Sequence, residues 1–335
     1  MITPAQAQIL FSTVDTMIGA AWQEAMPLVY PQVCEERPSA STQQVYVWTG
    51  MLPKMRLWEG GRVVFEPALQ TYTLANQLFE STLAVDRFRM SDDLYASLWR
   101  DLPDMARQAR RNADFLLRDL QENTGDQTGV RQLGLDGLPG FSTNHPVDLY
   151  DLSKGHYSND FSNGGATVQY PNPAGGTFNI LTGGAMSGSA VLTLSEYMRT
   201  LKGEDGESLG IVPNLIEIAP QLMGETALVL KSSFMSPPTW GSITGQVGPA
   251  ENVIKKFGID YVVNPFLRQA YTWYMMDTKR GFKPFVHQTN AATKMVSRVA
   301  ETDQNVFDRH EFLYGQWARE AVGWGPAWLC CRSGA

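Results

Sequence analysis

Several residue groups have types and spacings that chemistry could use. Gly206-Glu207-Ser208-Leu209-Gly210 matches the G-x-S-x-G pattern, which holds a nucleophilic serine at a strand-to-helix turn. Here a polar turn precedes the serine, and Pro213 and a strand follow it, so the match reads as chance. His310-Glu311-Phe312-Leu313 begins like a zinc-protease helix, but Tyr314 stands where the second histidine is needed. The run Gly183-Gly184-Ala185-Met186-Ser187-Gly188 precedes a helical segment, as phosphate-cradling loops do. It lacks the Lys-Ser/Thr ending of a P-loop and the spacing of a dinucleotide fingerprint, and reads as a flexible connection. Glu301, Asp303, Asp308 and Glu311 cluster without calcium-loop spacing and read as solvated acids. His145, His156, His287 and His310 have no ligand-like spacing and read as surface or hydrogen-bonded structural residues. No catalytic residue, cofactor site or metal site is expected.

Composition narrows the remaining classes. With 335 residues the chain can form one large domain or two to three small ones, and 43% hydrophobic with 18% charged residues fits a folded protein. Cys34 and the adjacent pair Cys330-Cys331 form no disulfide framework, and an odd count suits a reducing compartment such as the cytosol. Met1-Ile2-Thr3-Pro4 offers no basic leader and no apolar run is long enough for a membrane span, so neither export nor membrane insertion is expected. A net charge of −7 disfavours direct nucleic-acid binding, which requires basic surface. The same balance suits a container whose wall repels nucleic acid instead of adhering to it.

In residues 1–44, Leu10, Phe11, Val14, Met17 and Ile18 fall near helical spacing before Pro27, Pro31 and Pro38 break the pattern. So few apolar residues form no core, so this arm must lie on another surface. Residues 45–88 read as strands: Val45-Tyr46-Val47-Trp48 opens them, Gly60-Gly61 marks a turn, and Phe79, Leu83 and Val85 share a strand face. A helix follows almost without a loop. Ser91 is its candidate cap, Asp92 and Asp93 suit its first turn, and Leu94, Leu98, Met105, Ala109, Leu116 and Leu120 recur at helical intervals. Pro103 is expected to start a second helical piece, and Asn123-Thr124-Gly125 to close it. Arg107, Arg110, Arg111 and Arg118 occupy polar positions, which reads either as a solvated face or as a subunit contact.

A ribbon of two strands is marginal in water on its own. One placed beside a long helix points to a chain tiled against its own copies. Residues 125–188 are loop-rich, with short strands expected near 167–170 and 177–181. Beyond them, Thr193-Leu194-Ser195-Glu196 reads as a capping box with Leu194, Tyr197, Met198 and Leu201 as the apolar stripe. Leu215–Ala219, 259–263 and 271–276 read as buried strands, with a helix from Pro220 to about Lys231. The tail suggests strands near 285–288, 295–299 and 312–317. Trp48, Trp58, Trp240, Trp324 and Trp328 fall outside any periodic core pattern; large aromatics of this kind fill either cores or interfaces.

Taken in order, these segments resemble the major head subunits of Mu-like tailed bacteriophages, capsid proteins of the Hong Kong ninety-seven fold. The resemblance rests on Tyr46-Val47-Trp48-Thr49-Gly50 with Pro53 and Trp58, Tyr72 through Ala75-Asn76, Phe79-Glu80, and Ser91-Asp92-Asp93. It continues through Asn144-His145-Pro146-Val147, Leu192-Thr193-Leu194, Gly203-Glu204-Asp205-Gly206 with Leu209-Gly210, and Phe307 with Glu311-Phe312-Leu313-Tyr314-Gly315. It spans residues 45–328, with the leading arm and 155–188 as departures. It implies an α+β capsid fold: an N-terminal arm over 1–44, an extended β-hairpin loop over 45–88, and a peripheral domain with a spine helix over 89–149. An axial domain over 150–280 and C-terminal peripheral strands over 281–335 complete it.

By the same resemblance, the chain is expected to be a structural major capsid protein, not an enzyme. It would assemble as pentamers and hexamers into an icosahedral head that encloses double-stranded DNA without sequence-specific binding. Inter-subunit contact candidates are Trp48, Trp58, Gly60, Gly61, Arg62, Arg107, Arg110 and Arg111. With no fused scaffolding segment visible before the arm, a separate scaffolding protein is expected, together with a portal and a decoration protein. The expected setting is the virion, assembled in the host bacterial cytoplasm. Lys54 lies in the extended loop, but nothing nominates a crosslinking partner. Two alternatives stand beside this reading: an encapsulin-like nanocompartment shell on the same fold, and a soluble serine hydrolase acting through Ser208.

Overall fold

The computed structural model describes residues 16, 17, 19–21, 29–49, 55, 57–62, 64, 69–88, 95–124, 132–162, 167–171, 177–181, 186–235 and 250–334. The expected Ser91 cap, Trp240 and most of the 10–18 helix lie outside them.

Two sheets share one helix. The first is built on a pair of fourteen-residue antiparallel strands, β15 (Phe285–Arg298) and β16 (Glu311–Trp324). Strand β4 (Gln77–Asp86) runs antiparallel along β16, and β1 (Cys34–Pro38) parallel along β15, giving the order β1-β15-β16-β4. Side chains alternate across this sheet. Leu83, Val85, Phe312 and Tyr314 pack with Met105 and Ala106 of the long helix. That helix comprises α2 (Tyr95–Arg110) and α3 (Asn112–Glu122). A single turn, α1 (Tyr30–Val33), leads into β1.

Pro103 lies inside α2 and does not start a new piece. It is buried, and packing carries the helix across its one missing hydrogen bond. The break falls at Arg111, whose N–H is shared between the carbonyls of Arg107 and Gln108 at 3.3 and 3.1 Å. Asn123, at φ 53°, closes α3 in the left-handed conformation while Thr124 N–H donates back to the Asp119 carbonyl.

The second sheet has the order β13-β10-β14-β17-β7. Its strands are β7 (Asp160–Phe161), β10 (Leu215–Ile218), β13 (Asp260–Val263), β14 (Trp273–Met276) and β17 (Cys330–Ser333). One face carries Ile216, Ile218, Trp273, Met275 and Cys331 under α4 (Gly188–Thr200) and α5 (Met223–Lys231). Within α4, Leu194, Tyr197 and Met198 are buried as the stripe requires. Its cap, however, is Ser187, whose Oγ accepts from Ala190 N–H at 3.2 Å. Thr193–Glu196 is helix interior, because the chain turns helical one and a half turns earlier.

The opposite face of this sheet carries Leu215, Tyr274, Met276 and Cys330, packed against Leu116, Leu117 and Leu120 of α3 and against Phe141 and Trp324. Helix α3 is therefore the shared wall of the two sheets.

Smaller pairs are β2 (Gln43–Thr49) with β3 (Leu69–Ala75), β5 (His145–Pro146) with β6 (His156–Tyr157), β8 (Thr167–Pro171) with β9 (Thr177–Leu181), and β11 (Phe234–Met235) with β12 (Ala250–Glu251). Helix α6 (Gln304–Arg309) connects β15 to β16.

The structure divides three expected segments. Cys34–Pro38 of the leading segment joins the first sheet, so this part of the arm lies on its own chain. Gln77–Asp86 of the 45–88 segment forms ten residue pairs with β16, which leaves Gln43–Thr49 and Leu69–Ala75 as the two described strands of the ribbon. Cys330–Ser333 of the tail belongs to the second sheet.

Candidate functional site

The ribbon is fastened at its base. Tyr46, Tyr72 and Leu74 turn inward onto Val286 and Ala321, while Val45 and Val47 on the other face are 47% and 56% exposed. Gly323 lets them come close: a Cβ there would lie 2.9 Å from both Leu74 Cδ2 and Tyr72 Oη. Tyr46 Oη donates to Gln288 Oε1 at 2.7 Å, and Gln288 Nε2 donates to Asn76 Oδ1 at 2.7 Å. Asn76 Nδ2 in turn donates to the Ser41 carbonyl at 2.8 Å. Burial pushes the Tyr72 hydroxyl up to about 12.

The ribbon's far end is open. Leu57 is 79% exposed and Trp58 68%. Trp58 Nε1 donates to the Gly60 carbonyl at 2.7 Å, and the Arg62 guanidinium lies 5.0 Å from the Trp58 ring centroid. Gly60, at φ +81°, supplies the left-handed residue of the bend expected at Gly60-Gly61. These contacts brace the Trp58 ring against the bend, with Glu59 and Arg62 exposed on either side of the two glycines.

The other contact candidates are dispersed. Trp48 pairs with Gln70 through its backbone, and its side chain is not among those described. Arg107 pairs with Asp104 at 2.6 Å on the surface, and Arg110 is half-buried. Arg111 lies 6.0 Å from the Phe266 ring, and Arg118 is buried 5.7 Å from the Phe115 ring, so both reach apolar partners within the chain.

The motifs with chemical potential resolve into structural bonding. Ser208 Oγ donates to the Arg199 carbonyl at 3.0 Å and accepts from Gly210 N–H, inside a turn. His310 ends α6 in the left-handed conformation. His145 is buried between Asp136 and Asn159, and His287 bonds Glu320 at 2.8 Å. Glu301 pairs with Arg87, and Asp303 accepts from Ala300 N–H. Among the described residues no group of His, Cys, Asp and Glu could hold a metal ion. All three cysteines are free and buried, and burial pushes their thiols up.

A polar row crosses the second sheet beneath α3. The register places Glu217 beside Tyr274, Tyr274 beside Arg332, and Arg332 beside Asp160. Glu217 is fully buried; its Oε2 accepts from Gln121 Nε2 of α3 and its Oε1 from Asn264 Nδ2, both at 2.6 Å. Burial drives its pKa up to about 7, opposed by the two amide donors and reinforced by Asp114. At the far end Arg332 Nε donates to Asp160 Oδ1 at 3.0 Å. Sequence reading missed this row, although a lone acid inside the apolar run Leu215–Ile218 was a visible signal.

The family model for the Mu-like prophage major head subunit gpT matches residues 7–170 and 259–333. The chain belongs to this family. It is 22% identical over 328 residues to the major capsid protein of Escherichia phage Mu, covering 97% of this chain and 72% of that one. The procapsid protein of bacteriophage JBD30 superposes with a TM-score of 0.50 at 23% identity, over 100% of this chain and 76% of that one. A protein of Microbacterium phage Oxtober96 superposes with a TM-score of 0.52 at 10% identity, over 93% and 92% of the two chains. The capsid of cyanophage P-SCSP1u gives 0.51 at 9%, over 92% and 88%. Together these establish a phage capsid fold of the Hong Kong ninety-seven type.

This head subunit is thus a major capsid protein, a component of a phage head whose task is to build the shell. The nanocompartment alternative is not favoured, since the matching family and the curated relative are phage head proteins. The family is structural, not enzymatic. No described helix is long and apolar enough to cross a membrane. The family match leaves out 171–258, the stretch that holds α4, β10 and α5.

Proposed function

We propose that this head subunit assembles as pentamers and hexamers into an icosahedral head, and that the ribbon Gln43–Ala75 of each copy reaches over a neighbour. The observation that carries the reading is the ribbon itself: its base is fastened by buried tyrosines, while Leu57 and Trp58 between its strands are 79% and 68% exposed. Permanent interfaces bury about 2,000–5,000 Å² in total, enough to offset ordering such a tip. In this reading the first sheet with α2 and α3 forms the peripheral part of the subunit. The second sheet with α4 and α5 forms the axial part, meeting its copies around the five-fold and six-fold axes.

Double-stranded DNA is enclosed without sequence-specific contact, consistent with a net charge of −7. A separate scaffolding protein, a portal and a decoration protein complete the head, which forms in the host bacterial cytoplasm, where free cysteines stay reduced. Electron microscopy and sedimentation of the purified chain, with and without its scaffolding protein, test the proposal. Closed shells or capsomers are expected. A monodisperse monomer at high concentration under both conditions refutes it. Replacing Gly60-Gly61 by Val-Val should impair assembly while leaving the monomer's melting temperature within a few degrees of the parent.

A further inference from the structure

A cavity of about 160 Å³ opens between the long helix and the β4–β16 edge of the first sheet, half open to solvent. Phe79, Ala109, Phe115 and Trp317 line it, with Glu80 and Gln108 among its polar residues. Its size decides what it can hold. Ligand and cofactor sites run to about 300–1,000 Å³, whereas an apolar cavity of about 150 Å³ accepts a single benzene ring. This is a socket for one aromatic side chain.

We infer that Trp58 of a second copy fills this socket. The inference deepens the reading that the ribbon reaches a neighbouring subunit, and it rests on that reading. Trp58 is suited to the site in three ways. Its ring is already held by the Gly60 carbonyl and by Arg62, so little rotamer freedom is lost on docking. Its indole N–H is already bonded within the tip, so the ring can enter an apolar wall without stranding a buried donor. Its escort Arg62 is solvent-exposed, and the socket's lining includes Gln108 and Asn112, whose amide oxygens can accept from a guanidinium. Phe79 and Ala318 pair on the helix-facing side of the β4–β16 register and form the floor of the socket, beside Ala109 and Phe115 of the long helix.

The test uses the full chain. Trp58→Ala is expected to raise the concentration needed for assembly about 30-fold, the effect of losing a central interface tryptophan worth about 2 kcal/mol. Ala109→Met, which fills the socket from its own wall, should do the same without touching the ribbon. Monomer melting controls for folding in both. Trp58→Cys and Ala109→Cys chains, mixed and oxidised, should form covalent dimers, against a low background because the native cysteines are buried.

Unchanged assembly of Trp58→Ala and Ala109→Met, with no covalent dimer, overturns the inference while leaving ribbon-mediated assembly standing. A disulfide that forms within one chain carrying both cysteines at high dilution also overturns it, since the socket would then belong to the chain's own tip. Failure of the parent chain to assemble under any condition refutes the underlying reading instead.

Discussion

Replacing Glu217 by Gln should stabilise the subunit at neutral pH and do so far less in mild acid. Glu217 is 0% exposed and is held by two neutral amide donors. Burial raises it from an ordinary value of 4.5 to about 7. The folded state therefore holds a proton that the unfolded state releases, so stability is fully present below pH 4.5 and falls as pH rises towards 7. At about 1.4 kcal/mol per pH unit, the loss attributable to this carboxyl is about 3 kcal/mol. Glutamine keeps the volume without the charge. Once the Gln121 amide flips, the new side chain donates to Gln121 Oε1 in place of the bond that Glu217 accepts from Nε2. Denaturant unfolding of the unassembled subunit at pH 5 and pH 8, parent against variant, measures the difference. The variant should gain about 3 kcal/mol at pH 8 and less than about 1 kcal/mol at pH 5. Parallel pH profiles for the two proteins, or a variant less stable at pH 8, would refute the reasoning.

Two further outcomes follow from the geometry. Gly323→Ala places a methyl group 2.9 Å from Leu74 and Tyr72 and should cost about 1–3 kcal/mol in thermal unfolding. Gly315→Ala, with its nearest atom at 3.3 Å on a valine methyl, should cost clearly less. Arg332→Met should cost about 3 kcal/mol at pH 7 by leaving Asp160 buried without its cation. Burial pushes Asp160 up, but Arg332 and Ser162 outweigh it and hold the carboxyl below its ordinary range. The stability it contributes is therefore present above about pH 4 and lost as pH falls below, and the parent–variant gap in acid titrations should narrow there.

What was legible in the sequence follows the range of the interactions. The spacing of Met105, Leu116 and Leu120 gives the long helix, because helical periodicity is local, and all three are buried. The Gly60-Gly61 bend and Asn123 at the helix end are readable for the same reason. The segments near 285–288 and 295–299 read as separate strands because polar Thr289-Asn290 and Thr293 interrupt the alternation. In the structure β15 runs through them, with register shifts that absorb the interruption. Pairings across long separations left no local trace: Cys34–Pro38 joins Phe285–Thr289, and Cys330–Ser333 crosses to the second sheet. Arg111 looked like a surface charge because Phe266, the ring it approaches, is far away in sequence. The socket escaped for the same reason, since its wall gathers residues from 79 to 318.

The place of β17 governs when the subunit can be finished. It enters between β14 and β7, and its pairing of Arg332 with Asp160 joins residues far apart in the chain. On the ribosome, where synthesis runs at about 5–20 residues per second, the second sheet stays split in two until β17 emerges. Such high contact order makes closure late and slow. A chain without β17 therefore offers its siblings a body with a gap between β14 and β7, so the growing shell is spared unfinished members.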